Sequence, residues 1–343
     1  MELGGLDLLP RWSLVMHPRG SATTAAGANV YGYVSIDVLT ADIIPDQISL
    51  MTLSEGMNEH GLTVSCQTHR GAEYQGESVS SSSPPPTKLP FLQLAAHVLG
   101  SYKSTTEAVT ALQTSLYIHG KRVPSGERLH WALADAAGSH VVVEYVLGSL
   151  VVRDNKHVGV LTNDPPYDWH VANLNNYAGM SAAWPEPAQN AMAETDVPGL
   201  ITNTVPSNIG HGGNLVALPG SFTPASRFLN MFFLKQHALS SLGLPQGVGD
   251  GITMVTGLLN KVFITRGTVP SEAARSESKY DNSLELTHWA TIKIPQERTF
   301  MWRSYENMQW RRMDIGMVDW EAGGEFEPIQ INDGCDGIMD VGF

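Results

Sequence analysis

Residues 47–69 read QISLMTLSEGMNEHGLTVSCQTH, two apolar, β-branched runs separated by Asn58, Glu59, His60 and Gly61. Asn and Gly accept the backbone angles of a tight turn, and β-branched side chains favour strands. The stretch therefore predicts a hairpin turning over residues 58–61, and a hairpin is antiparallel. SLVMHPRG (13–20) and YGYVSIDVL (31–39) have the same character ahead of it.

Working outward, SVSSSSPPPTK (78–88) is poor in core-forming residues and predicts an exposed loop. LPFLQLAAHVLGSY (89–102) repeats apolar residues at a helical period, and Ser104 with Glu107 has the spacing of a capping box before a second helix. Strands return over 129–164, with turns at AAGS, LGS and RDNKH, and predict a second meander whose last strand is VGVL (158–161). Two amphipathic helices follow at 225–239 and 250–263, then closing strands at 286–294 and 298–306. Two antiparallel sheets with helices between and after them make a layered α+β domain over 1–315. Residues 316–343 carry acids but no Lys or Arg and little periodicity, which predicts a loosely attached acidic C-terminal tail.

Composition narrows the function. The chain has 343 residues, enough for a large core, and a formal net charge of -13. That charge repels phosphate backbones and anionic lipid, so neither nucleic acid nor membrane is an expected partner. No apolar run nears the roughly 20 residues of a membrane span. Glu2 and Asp7 stand where an export signal would be basic, and the compartment stays open. The two cysteines, Cys66 and Cys335, form no CxxC pair, and no HExxH, HxH or GxSxG occurs. No metal or other cofactor is expected. NDGCDG (332–337) lacks the alternating acids of a calcium loop and reads as a solvated turn.

Two stretches crowd polar groups around apolar ones. In GVLTNDPPYDWHVANLNNY (159–177), Asn163 could donate an amide N–H to a developing oxyanion, while Asn-Asp-Pro-Pro is turn chemistry in any case. In GHGGNLVALPGSFTPASRF (210–228), glycines precede a helix whose first turn carries Arg227. The spacing fits no phosphate loop, and Arg227 could equally be a capping or surface side chain.

Taken together, EGMNEHGL (55–62), LHWALADAAGSHVVVEY (129–145), VLTNDPPYDWHVANLNNY (160–177) and LPGSFTPASRF (218–228) resemble the signature segments of the choloylglycine hydrolase family, in the family's order and at about its spacing. The resemblance runs from Met1 to about Ile315. It implies the N-terminal nucleophile hydrolase fold, a four-layer αββα sandwich that cleaves linear amides, usually as a homotetramer. In that family a cysteine at a free amino terminus attacks the amide, its own α-amino group taking the thiol proton.

Residue by residue, the resemblance puts Asn163 at the oxyanion-hole position, Arg227 at the late arginine and Glu2 at the acidic position beside the nucleophile. Thr68 falls where many bile salt hydrolases have a second oxyanion Asn, and Tyr167 is expected in the acyl pocket. Met1 then reads as an internal methionine, with the nucleophile and a partner arginine expected upstream of it. Cys66 lies on a strand with His69 three positions on, so the two project from opposite faces and Cys66 reads as core. Cys335, between Asp333 and Asp336, makes a poor thiolate. The expected activity is hydrolysis of an N-acyl amide such as penicillin V, an acyl-homoserine lactone or a conjugated bile salt. The alternative is an inactive homologue that binds acyl amides or assembles with partners.

Overall fold

The computed structural model describes residues 12–38, 52–76, 86–120, 128–180, 215, 217–270, 284–321 and 326–332. Glu2, Cys335 and most of the Ser/Pro stretch lie outside them. The strands that position the site are β1 (Trp12–His17), β2 (Tyr33–Val38), β3 (Thr52–Asn58), β4 (Thr63–Thr68), β5 (Leu129–Ala134), β6 (His140–Val146) and β7 (Ser149–Asp154). With a late strand, β11 (Ile329–Gln330), they form one antiparallel sheet in the order β7-β6-β5-β4-β3-β2-β1-β11. The predicted hairpin is its centre, where Glu55 pairs with Ser65 and Met57 with Thr63.

Asn58 builds that turn. Its Oδ1 accepts from the backbone N–H of His60 at 3.1 Å and of Leu62 at 3.0 Å, while its Nδ2 donates to the carbonyls of Leu99 and Tyr102. Gly61 sits at φ +83°, and a Cβ there would meet the carbonyl of Pro295. Only glycine combines that backbone angle with that approach.

The two faces of the sheet separate by the period-2 alternation of strand side chains. On one face Leu62, Val64 and Cys66 pack with Leu94, Val98 and Leu99 of α1 (Leu94–Ser101) and with Ala108 and Leu112 of α2 (Thr105–Thr114). On the other, Trp12, Leu14, Met16, Val34, Ile36 and Met57 pack against Trp289, Phe300, Trp302 and Met313. These last belong to a second sheet of β8 (Trp289–Ile294), β9 (Thr299–Ser304) and β10 (Arg311–Asp314). A one-residue slip of β1 would carry three apolar side chains from one core to the other, so both cores enforce the register. Helix α5 (Val248–Lys261) covers the outer face of the second sheet, where Asn260 accepts from Arg303 at 2.6 Å and Thr256 from the Trp310 indole at 3.0 Å. Helix α4 (Pro224–Leu242) lies beside α5. The layers are thus αββα.

Several details differ from the sequence reading. The two meanders are not two sheets, because β4 pairs with β5 from Thr63↔Ala134 to Thr68↔Leu129. The second sheet is built by the closing strands and by β10, whose Arg-Arg-Met-Asp lacks an apolar run. Residues 158–161 carry no ladder. The expected loose tail is packed where it is described: Val318, Trp320 and Ile331 are buried in the core between the sheets, and β11 pairs with β1. Its packed apolar residues come in pairs, Val318 with Trp320 and Ile329 with Ile331, too short to show a period. At the second helix, Ser104 does cap through the N–H of Glu107, but the Glu107 carboxylate accepts from the N–H of Lys103 rather than of Ser104.

Candidate active site

Asn163 sits where the chain leaves the large sheet, on a segment without ladder partners that runs toward α3 (Tyr167–Asn173). Two side chains and one strand end converge on it. Its Nδ2 donates to the carbonyl of Thr68, the last residue of β4, at 2.9 Å. Its Oδ1 accepts from Nη2 of Arg227 at 2.7 Å, and its own carbonyl lies 3.0 Å from Nε2 of His170. An amide oxygen held by a guanidinium cannot flip, and the cation draws electron density away from the amide nitrogen. The second Nδ2 hydrogen has no partner among the described residues, and Asn163 is only half-buried. One activated N–H donor is therefore uncommitted among the described residues.

Arg227 is delivered by the start of α4. Thr223 caps that helix by accepting from the N–H of Ser226, and Pro224 occupies its first turn, where a missing N–H costs nothing. The guanidinium is fixed further by Nε donating to the carbonyl of Phe222 at 2.9 Å. Thr162 Oγ1 donates to the carbonyl of Pro224 at 3.1 Å and ties the Asn163 segment to the same cap.

Thr68 is buried, and its Oγ1 makes no hydrogen bond among the described residues. Tyr167, 3% exposed, packs with Val142, Val160 and Phe228, and its hydroxyl donates to Asn155 at 2.9 Å. It lies behind the site, in the core. The structure thus brings together Asn163, Arg227 and the end of β4 at Thr68, sets Tyr167 behind them, and leaves Glu2 outside the described residues. Cys66 is 1% exposed in the core against α1, and burial pushes its thiol far above the usual range. It is not an accessible nucleophile.

A second polar cluster underlies the segment. His130 has Nδ1 2.8 Å from Glu144 Oε1 and Nε2 2.7 Å from the carbonyl of Thr162. His69 stacks on His130 at 4.8 Å between ring centroids and 19° between planes, with its Nδ1 2.9 Å from Asp164 Oδ1. Burial raises the Asp164 carboxyl, but the nearby His69 imidazole and hydrogen bonds from the backbone N–H groups of Arg70 and Gly71 outweigh it and hold it well below the usual carboxylate range. His69, His130 and Glu144 bring ligand-type atoms within 4.8 Å of one another. Nearly parallel stacked imidazoles, however, aim their in-plane lone pairs side by side rather than at a common point, and both His130 nitrogens are engaged. The cluster is a hydrogen-bonded support and not a chelate. Sequence reasoning gave His130 and Glu144 no role. The signal that could have found them was a charged or titratable residue inside apolar strands, LHW and VVVEYV.

The αββα layering is that of the N-terminal nucleophile hydrolase fold. A sequence model of the linear amide C–N hydrolases, choloylglycine hydrolase family, matches residues 33–321, and the chain belongs to that family. It is 28% identical over 287 residues to a bile salt hydrolase/transferase of Clostridium perfringens, covering 82% of this chain and 78% of that protein. It is 27% identical over 316 residues to a penicillin V acylase of Pectobacterium atrosepticum, covering 82% and 72%. Among solved structures it superposes on a mutant of conjugated bile acid hydrolase from Clostridium perfringens with a TM-score of 0.77 at 25% identity, over 100% of this chain and 94% of the other. Penicillin V acylase from Agrobacterium tumefaciens shares the fold with a TM-score of 0.59 at 20% identity, over 92% and 82%.

Proposed function

We propose that this protein hydrolyses N-acyl amides through a cysteine at a free amino terminus, supplied by residues ahead of Met1. The α-amino group takes the thiol proton as sulfur attacks the amide carbon, and that proton goes to the leaving amine as the C–N bond breaks and a thioester forms. Water, deprotonated by the same amino group, then cleaves the thioester, releasing the acid and restoring the thiol. Asn163 donates its uncommitted N–H to the oxyanion, and Arg227 keeps that amide oriented. Thr68 walls the site and can add a hydroxyl donor, Tyr167 backs the acyl pocket from the core, and Glu2 holds the nucleophile's terminus. The observation that carries the reading is the Asn163 amide, with its oxygen clamped by Arg227 at 2.7 Å and, among the described residues, one N–H uncommitted at a half-buried position. The reaction as drawn needs no metal or other cofactor. By family resemblance the assembly is a homotetramer, which light scattering would test.

The test expresses the chain together with the in-frame codons that precede Met1. It follows phenoxyacetate from penicillin V, glycine from glycocholate and homoserine lactone from acyl-homoserine lactones. Release from at least one is expected, with glycocholate the poorest of the three. No release from any, with a terminal cysteine exposed, overturns the reading in favour of an inactive homologue that only binds acyl amides or assembles with partners. Amide cleavage by a chain that begins at Met1 overturns the assignment of the nucleophile.

A further inference from the structure

Asn163 can meet a developing oxyanion only if the segment carrying it stays still, and residues 158–163 have no ladder to hold them. Lys235 and Asn155 donate to the carbonyls of Val158 and Val160, and the last two carbonyls meet imidazoles. His170 Nε2 lies 3.0 Å from the carbonyl of Asn163, and His130 Nε2 lies 2.7 Å from that of Thr162. On its other side His130 Nδ1 meets Glu144 Oε1 at 2.8 Å. Both Glu144 oxygens also accept the backbone N–H of Tyr167, at 3.0 and 3.2 Å, as an ionised carboxylate would. A carbonyl only accepts, and so does an ionised carboxylate, so against an ionised Glu144 His130 meets both partners only with a hydrogen on each nitrogen. His130 is fully buried and Glu144 is 1% exposed. A cation there is tolerable because its counter-charge is in direct contact.

We propose that His130, doubly protonated against Glu144, is the positioning residue that locks Thr162 and so sets the Asn163 amide for the oxyanion. The proposal rests on the reading of Asn163 as oxyanion donor. The surroundings of His130 agree with a single cation. The stacked ring of His69 presents a π-face and turns its Nδ1 toward Asp164, and burial pushes His170 on α3 down toward its neutral form. Among the described residues, the other titratable groups around His130 are Glu144 on β6, His69 beyond the end of β4, Asp164 next to Asn163, and His170; of these only Glu144 touches its ring nitrogens.

The test has one arm independent of catalysis. In the 15N-histidine-labelled full chain, NMR at pH 8 is expected to show both His130 nitrogens bearing hydrogen. A neutral His130 with one bare nitrogen overturns the inference, whether or not the protein proves to be an amidase. In the second arm Glu144→Gln removes the counter-charge. His130 is expected to lose one hydrogen, and kcat for the best amide substrate to fall about tenfold or more with KM little changed. Glu144→Asp, which keeps the charge, should restore part of kcat, and it serves alone if the Gln variant does not fold. A doubly protonated His130 with kcat unchanged in either variant overturns the positioning role. Absence of turnover in the wild-type chain strikes the proposed function and leaves the NMR result standing.

Discussion

Two asparagines, Asn58 at the central hairpin and Asn163 beyond the sheet, show how the same side chain serves shape in one place and chemistry in another. Asn58 is fully buried and makes four hydrogen bonds, all to backbone groups. Asn163 is half-buried, gives its oxygen to a guanidinium and keeps one N–H in hand. A saturated amide can only fix the chain, whereas one held by its oxygen and one N–H can act through the other N–H. Immediate neighbours do not separate them, since both sit among turn-forming residues; the long motif around Asn163 does.

The largest expected effect breaks this comparison on the catalytic side. Asn163→Ala should lower kcat on the best amide substrate by about 100- to 1,000-fold, the usual cost of losing one oxyanion donor. Its urea midpoint should barely move. A stability loss large enough to explain the fall in turnover would place Asn163 with Asn58. Conversely, Asn58→Ala strands two buried carbonyls and two N–H groups, and should cost about 3 kcal/mol or more of unfolding free energy. The fraction that remains folded should keep its kcat, read by active-site titration alongside turnover.

A smaller effect concerns acid. Asp164, the neighbour of Asn163, has its folded carboxyl held below the unfolded value. Its contribution is therefore present above the unfolded pKa of about 4 and is lost as pH falls below it toward the folded value. Asp164→Asn should flatten the decline of stability below about pH 4, measured by urea midpoints across pH. An unchanged slope would remove Asp164 from the support of the segment. The smallest effect is expected from Cys66→Ala, which should leave turnover unchanged, while the native Cys66 thiol should resist labelling until the chain unfolds. Rapid labelling in the folded chain would contradict its burial against α1.

What the sequence made legible was whatever has a period or a local chemistry. The Asn58–Gly61 hairpin, α1, α4 and the Ser104 cap follow from alternation, helical spacing and turn residues within a few positions of one another. The joining of the two meanders does not, because the β4–β5 pairing from Thr63↔Ala134 depends on partners far apart in sequence. The packed tail was hidden for a related reason: Val318 with Trp320 and Ile329 with Ile331 are short apolar pairs among polar residues, and their burial is decided by the core they enter. At the site, Asn163 and Arg227 stood out through long motifs, whereas His130 and Glu144 looked like lapses in apolar strands until their nitrogen and oxygen were seen 2.8 Å apart.

The short strand Ile329–Gln330 lies on the outer side of Trp12–His17, and the N–H of Ile331 reaches the carbonyl of Trp12. During synthesis the earliest of these strands is thus left uncovered until nearly all of the described protein has been made. A ribosome-bound intermediate must carry that bare edge, with Trp12 beside it, through most of translation, so trimming residues 326–343 should yield protein that clumps as it is made rather than protein that merely works less well.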